Sequence, residues 1–319
     1  MVGFVIMSYY NPDFETPVPA WVYFVCAGGL FAYQTLDNID GKQARRTKSS
    51  SPLGELFDHV SDAMGVGSMI VTIGASCRVG PVLTLIVFFS VITPFFLYHW
   101  EEYFTGELIL GEFDGPTESQ CFVILLHIAN GVFALIGYDF WAKEVAFGYN
   151  GKVVYSLGFC FLCLLSSIKL QWRMWRHVLG TLKRPFAEAF SVGVPFLTFF
   201  GSALVYSAYT PEVLEHHRWD ESRLLFFLLT LQFGYLTSRL IVQRVCKESA
   251  PIMYPISIPL FIAAVHAFLH RFFGVPHYVD VHVVLKVRRY GGREISRLIF
   301  LERFLLDSPL HSVCSSSAS

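Results

Sequence analysis

Charged residues are scarce in this chain. Only 15% of its 319 residues are Asp, Glu, Lys or Arg, whereas soluble domains carry about 25%. Hydrophobic residues make up 54% of the sequence, and the mean hydropathy is +0.49. A soluble fold of this length would need a more highly charged surface, so we expect the main solvent of the chain to be lipid. The net charge of −1 gives no basis for a nucleic-acid partner.

A disulfide framework is also missing. The seven cysteines are odd in number, scattered through mostly apolar stretches, and lack the spacing of a secreted scaffold. Cys160 and Cys163 form a C-x-x-C pair, but it lies inside the apolar run 153–168. Buried thiols act there as small apolar side chains, so we favour packing over a redox or zinc role.

Long apolar runs recur along the chain, separated by short polar breaks. They predict an all-α, polytopic integral membrane bundle of about eight to ten transmembrane helices. The first run is too short to cross a bilayer, so we expect an incomplete first helix. The predicted helices occupy residues 1–10, 19–46, 52–77, 81–100, 119–141, 153–171, 186–209, 223–245 and 252–273.

The apolar pattern weakens after Pro276. Residues 1–282 are therefore predicted to form one membrane domain, and residues 283–319 a divergent C-terminal tail that is partly disordered. Basic residues concentrate in the breaks at 45–48, 173–184 and 244–247, which share one side when the predicted crossings are counted. The excess of Lys and Arg predicts that this side faces the cytosol.

Four aspartates and two glycines occupy matching faces of two consecutive predicted helices. The spacing is D-x-x-D-G-x-x-A-R, eight residues, and then G-x-x-x-D-x-x-x-D. Residues three, four, seven and eight apart share a helix face. Ser51-Pro52 is a favourable helix start, so the two helices should form a hairpin whose carboxylates converge. The residues of the pattern are Asp37, Asp40, Gly41, Ala44, Arg45, Gly54, Asp58 and Asp62.

Converging carboxylates at a membrane edge repel one another unless cations lie between them. Oxygen ligands favour Mg²⁺ or Mn²⁺, and two such ions about 3.5–4 Å apart can clamp the attacking and leaving oxygens of phosphoryl transfer. Gly41 and Gly54 would leave room for a bulky ligand, and the Arg45 guanidinium suits phosphate oxygens. Simple capping of a membrane helix at the headgroup layer would not explain the matching faces.

This pattern resembles the signature of the CDP-alcohol phosphotransferase family at each defined position. The resemblance covers roughly residues 4–282 and is strongest at the motif. Further strings are similar to the eukaryotic choline/ethanolamine phosphotransferase branch: Asp40-Gly-Lys-Gln-Ala-Arg-Arg-Thr, Ser-Ser-Pro-Leu-Gly-Glu-Leu-Phe-Asp-His59, Tyr10-Asn-Pro-Asp-Phe14 and His99-Trp100-Glu101.

The resemblance implies an enzyme that transfers phosphoethanolamine or phosphocholine from CDP-ethanolamine or CDP-choline to diacylglycerol, with release of CMP. It also implies two Mg²⁺ or Mn²⁺ ions, a homodimer, and an endoplasmic reticulum or Golgi membrane with the active site at its cytosolic edge. The implied metal ligands are Asp37, Asp40, Asp58 and Asp62. The implied lining of the CDP-alcohol site is Gly41, Ala44, Arg45 and Gly54.

Such a reaction needs a general base for the proton of the lipid hydroxyl. Asp62 is a candidate as the last acid of the motif, and His59 as an imidazole suited to neutral pH. Glu118 is a third, because it begins a predicted helix on the same side of the membrane. Glu101 and Glu102, in contrast, are predicted to form a solvated face.

Two other interpretations stay open at this point. The first is a phosphatidyltransferase of the same superfamily that takes CDP-diacylglycerol and a soluble alcohol such as inositol, although the strings around the motif argue against it. The second is a transporter whose carboxylates are ion sites. That interpretation would place acids near the bilayer midplane on broken helices, whereas here they lie on one hairpin near its polar end.

Overall fold

The structure, a computed structural model, describes residues 2–109, 116–146, 148–214, 219–248, 251 and 253–275. Within these ranges the chain forms ten α-helices and one small antiparallel β-hairpin. The helices are α1 (Val2–Tyr10), α2 (Ala20–Thr47), α3 (Pro52–Ser76), α4 (Gly80–Thr105), α5 (Pro116–Leu135), α6 (Gly151–Trp175), α7 (Phe186–Ser191), α8 (Val194–Tyr209), α9 (Trp219–Cys246) and α10 (Ile258–Phe273). The strands are β1 (Glu144–Ala146) and β2 (Tyr149–Asn150). The predicted helical class is confirmed.

Five helical segments of the described chain are long and apolar enough to cross a membrane. They are Gly80–Thr105, Thr117–Leu135, Gly151–Thr181, Ser222–Cys246 and Pro255–Phe273. On α6, large apolar side chains such as Phe161 and Leu162 are exposed, which is favourable only in contact with lipid or another apolar surface. The predicted polytopic membrane architecture is therefore confirmed.

Several predicted helix boundaries are wrong. α5 ends before Gly137, which has a positive φ of 67°, and the chain then turns into the β-hairpin. The predicted helix 186–209 is divided into α7 and α8, because Pro195 lacks an amide hydrogen and starts a new helix. α10 begins after a 3₁₀ turn that starts at Pro255. α4 and α6 each extend about one turn further than predicted.

α3 is held by very close contacts with α9 and α4. A Cβ atom at Gly67 would lie 2.4 Å from a methyl carbon of Thr230 on α9, and one at Gly74 would lie 2.3 Å from the hydroxyl oxygen of Thr84 on α4. Small residues allow such an approach of helix backbones inside a membrane. α2 packs chiefly on α5 instead. The two halves of the hairpin therefore have different neighbours, which leaves room between their polar ends.

The chain divides into two compact units, residues 1–268 and 269–319. The described part of the second unit, residues 269–275, is the end of α10 and the turn after it, where Nδ1 of His270 donates to the Val275 carbonyl at 2.7 Å. The predicted boundary between membrane domain and tail, at residue 282, lies outside the described residues. It stays a prediction.

Candidate active site

A cavity of about 570 Å³ opens between the polar ends of α2 and α3, which is a typical volume for a small-molecule site. The hairpin turns sharply because Lys48 adopts a left-handed conformation with a φ of 59° at the end of α2. The Ser51 hydroxyl then accepts a hydrogen bond from the Gly54 amide at 3.1 Å, as the predicted helix start requires. Its lining includes Asp37, Asp40, Ala44, Gly54 and Asp58.

Carboxylates from both helices meet at this cavity. Asp37, Asp40 and Asp58 each offer an oxygen atom within 4.8 Å of the other two. Asp62, one turn further along α3, shares a hydrogen bond with Asp37. The structure thus brings together the four predicted aspartates, because the helical spacing places each pair on the side that faces the other helix.

Burial and mutual repulsion raise the pKa values of Asp37, Asp58 and Asp62. Burial, followed by the charges of the other three aspartates, raises the pKa of Asp37 from its ordinary value of 3.8 to about 7. The pKa of Asp58 is raised by burial and by the nearby carboxylates. Burial also raises the pKa of Asp62, although a hydrogen bond from Tyr33 acts in the opposite direction.

The donor set fits a hard divalent cation. The three-residue cluster of Asp37, Asp40 and Asp58 consists of carboxylate oxygens, the ligands that Mg²⁺ and Mn²⁺ prefer. The hydrogen bonds that Asp37 shares with Asp58 and Asp62 need protons. A bound cation would take the place of those protons and offset the repulsion that raises the pKa values.

The predicted nucleotide-binding residues lie beside the acids. Gly54 and Ala44 line the cavity, and Gly41 faces the side chain of Arg45. A Cβ atom at Gly41 would meet the Arg45 guanidinium at 3.5 Å, and one at Gly54 would meet the Ser51 hydroxyl at 3.4 Å. These are ordinary van der Waals distances, so packing within the chain does not require glycine at either position.

Tyr33 is a site residue that the sequence analysis missed. Its hydroxyl donates to Oδ1 of Asp62 at 2.6 Å, and its ring lines the cavity. Tyr33 precedes Asp37 by one helical turn and therefore shares its face of α2. That spacing was a usable signal, but aromatic residues at helical spacing are common in apolar helices and did not distinguish this one.

The structure places Glu118 at the exposed start of α5. The Gln34 side chain donates to the Thr117 carbonyl oxygen at 3.1 Å, which fixes this end of α5 beside α2, one turn from Asp37. Glu118 is not among the described residues that line the cavity. Its position is compatible with a substrate that extends beyond the cavity, and its role stays a prediction.

His59 connects the acids with the interior of α4. Its Nδ1 atom lies 3.1 Å from Nε2 of His99. His59 directly follows Asp58 on α3, and although burial raises the pKa values of Asp58 and Asp62, a positive charge on His59 acts to lower them. His59 is half-buried. Of the predicted candidates for the base, it is therefore the one held between the acid cluster and a buried polar neighbour.

Glu101 and Glu102 are buried, so the prediction of a solvated face is wrong. Glu101 is 2% exposed, and both of its oxygens accept from Nε of Arg173 on α6 at 3.1 Å. Glu102 is 3% exposed and lies 3.3 Å from Nη2 of Arg244 on α9, which also contacts Glu55 on α3. Each glutamate has an arginine partner that is remote in sequence, which makes its burial possible.

These features define a polytopic membrane protein with an oxygen-donor site between two consecutive helices. A family model described as CDP-alcohol phosphatidyltransferase matches residues 1–142. A CDP-alcohol phosphatidyltransferase class-I family protein of Dictyostelium discoideum is 37% identical over 88% of this chain and 64% of its own length. Cholinephosphotransferase 1 of Danio rerio is 32% identical over 88% of the chain and 72% of its own length. Ethanolaminephosphotransferase 1 of Mus musculus is 31% identical over 82% of the chain and 67% of its own length.

The chain belongs to the CDP-alcohol phosphotransferase family. Its relatives include cholinephosphotransferases and ethanolaminephosphotransferases, so the resemblance carried by the D-x-x-D-G-x-x-A-R string is confirmed. The chain spans slightly less than two thirds of the Dictyostelium relative, at 64% of its length.

Proposed function

We propose that this chain transfers phosphoethanolamine or phosphocholine from the corresponding CDP-alcohol to diacylglycerol. The observation that carries the proposal is the convergence of Asp37, Asp40 and Asp58 from two helices on one cavity, with Asp62 hydrogen-bonded to Asp37 behind them. The names of the cholinephosphotransferase and ethanolaminephosphotransferase relatives support this class of substrate. We assign two Mg²⁺ or Mn²⁺ ions to the four carboxylates.

The reaction is one displacement at the phosphorus atom that carries the alcohol. The hydroxyl oxygen of diacylglycerol forms a bond to this phosphorus, the hydroxyl proton passes to a base, and the bond to the bridging oxygen of CMP breaks with its electron pair on CMP. Divalent ions, when bound, supply positive charge to the phosphate oxygens. Asp37, Asp40 and Asp58 line the cavity and, together with Asp62, would hold these ions.

The remaining site residues would position the reactants. The Arg45 guanidinium lies beside the open backbone of Gly41, where it could pair with phosphate oxygens. Gly54 leaves the opposite wall of the cavity free for the nucleotide. The candidates for the base remain His59, Glu118 and Asp62.

The cavity rim suits a lipid co-substrate. Leu36, Ile39 and Phe57 line the cavity, yet they are 68%, 49% and 75% exposed. An apolar rim around an acidic floor would let acyl chains lie against the protein while the hydroxyl reaches the acids. We propose that this end of the hairpin faces the cytosol of an endoplasmic reticulum or Golgi membrane, since the basic breaks are predicted to lie on its side.

The proposal predicts metal-dependent release of CMP. The purified chain, offered diacylglycerol with labelled CDP-ethanolamine or CDP-choline, should form the matching phospholipid with Mg²⁺ or Mn²⁺ and lose this activity in EDTA. CDP-diacylglycerol with inositol, offered in parallel, is the matched control. A product from that pair alone would establish the other superfamily reaction, and a transporter would release no CMP from any pair.

Gly54→Val and Gly41→Val are expected to raise KM for the CDP-alcohol about tenfold or more, because the branched side chain fills space that we assign to the nucleotide. Steady-state kinetics with varied CDP-alcohol measure the effect. Gly29→Val on α2 is the matched control, because a Cβ atom at Gly29 meets nothing within 4 Å and lies away from the acids. An unchanged KM in a stable Gly54 variant would show that this glycine does not line the nucleotide site.

A further inference from the structure

Two histidines on neighbouring helices, His99 on α4 and His59 on α3, are joined by a hydrogen bond, and His59 directly follows Asp58 of the acid cluster. His99 on α4 is 4% exposed, and its ring stacks on Phe95 with a centroid distance of 4.7 Å. Nδ1 of His99 lies 3.0 Å from the Phe95 carbonyl oxygen, and its Nε2 lies 3.1 Å from Nδ1 of His59. Both nitrogens of the buried ring are therefore engaged.

These contacts fix where the hydrogens lie. A carbonyl oxygen can only accept, so Nδ1 of His99 must carry a hydrogen. Burial favours a neutral imidazole, and Nε2 of His99 is then an acceptor. Nδ1 of His59 must accordingly donate to it. The second nitrogen of a neutral His59 ring, Nε2, then carries a lone pair on the side of the ring away from His99.

The same region could suggest another metal site, since atoms of His59, His99 and Glu102 lie within 4.8 Å of one another. Most of its atoms already have partners, however. The two imidazoles bond each other, and Glu102 lies 3.3 Å from the Arg244 guanidinium. Hydrogen bonds and an ion pair therefore account for the two imidazoles and one oxygen of Glu102, while Oε2 of Glu102 has no hydrogen-bond partner among the described residues.

We propose that His99 is a positioning residue that holds His59 in the tautomer whose Nε2 accepts the proton of the diacylglycerol hydroxyl. The inference rests on the proposed function and assigns its general base to His59. When Nε2 takes the proton, the imidazolium keeps its Nδ1–H donated to His99, and its charge lies near Asp58 and Asp62. Without His99, the His59 ring can rotate and place its hydrogen on either nitrogen.

Two substitutions separate this role from simple packing. His99→Leu fills the space but cannot accept a hydrogen bond, and we expect it to lower kcat about 10- to 100-fold. KM for both substrates and the Mg²⁺ concentration for half-maximal rate should change less than about twofold. The amide oxygen of His99→Gln can accept from His59, so this variant should keep kcat within about threefold of the unchanged chain. Both are measured as CMP release by the full chain in detergent.

His127→Leu is the matched control. His127 is 1% exposed on α5 and bonds Ser76, so its loss also removes a buried imidazole but leaves the His59 contact in place. We expect its kcat to stay within about threefold of the unchanged chain. Equal losses in His99→Leu and His99→Gln, or a loss confined to KM, would overturn the positioning role.

A double substitution tests whether His99 acts through His59. In a His59→Ala background, His99→Leu should lower kcat less than about twofold further, since the residue it positions is gone. A further multiplicative loss would show an independent role and overturn the inference. Full turnover in His59→Ala alone would also overturn it while the proposed transferase activity stands. Absence of CMP release by the unchanged chain would instead refute the proposed function.

Discussion

Asp37→Asn, Asp40→Asn and Asp58→Asn are each expected to lower turnover by about three orders of magnitude or more. Each change keeps the size of the side chain but removes one charge from carboxylates that lie within 4.8 Å of one another. An amide also offers only one oxygen to a cation that prefers carboxylates. CMP release at saturating Mg²⁺ is the measurement.

The same substitutions should not unfold the protein. Burial and the neighbouring charges raise the pKa of Asp37 to about 7, so its charged form destabilises the metal-free fold at neutral pH. Asp37→Asn should therefore raise the Tm measured in EDTA. Asp139→Asn is the matched control, because it makes the same change at a carboxylate bonded to Arg78 at 2.7 Å, away from the cavity. Near-normal turnover in any of the three variants would remove that residue from the metal site.

Loss of the general base is expected to have the second largest effect. If His59 is the base, His59→Ala should lower kcat about 10²- to 10⁴-fold while the Mg²⁺ concentration for half-maximal rate stays nearly constant. Asp62→Asn should instead raise the Mg²⁺ requirement, because Asp62 is bonded to Tyr33 and Asp37 and so is held in place as a ligand. Measuring kcat against Mg²⁺ for both variants separates the two roles.

Glu118→Gln completes this comparison. Glu118 is exposed at the start of α5, so its substitution should leave the fold intact. A loss of kcat equal to that of His59→Ala would move the base to Glu118. An increased Mg²⁺ requirement in His59→Ala would contradict its assignment as a base and make it part of the ion-binding region.

Local spacing was enough to predict the acidic hairpin. Asp37 and Asp40, and likewise Asp58 and Asp62, lie three or four residues apart, and an α-helix places such residues on one face regardless of its neighbours. The Ser51 cap and the turn after Thr47 then aim the two faces at each other. The helical membrane class was equally accessible, because apolar runs of sufficient length depend on composition alone.

Helix ends were less predictable where another local structure, such as a turn, replaces the continuation of the helix. The pattern extended α5 to residue 141, but Gly137 takes a left-handed conformation and the chain forms the β-hairpin instead. The run 186–209 has continuous apolar character, and only the backbone geometry at Pro195 separates α7 from α8. Hydropathy does not report the break at Pro195, because both sides of it are apolar.

The sequence by itself determined the membrane class, the hairpin and the facing aspartates, all of which follow from spacing within one or two helices. Only the tertiary structure decided that His99 bonds His59, that Arg244 lies between Glu55 and Glu102, and that Glu101 is buried against Arg173. These partners lie on different helices and far apart in sequence. In lipid, a packed helix face and a lipid-facing one are both apolar, so hydrophobic periodicity does not show which faces meet.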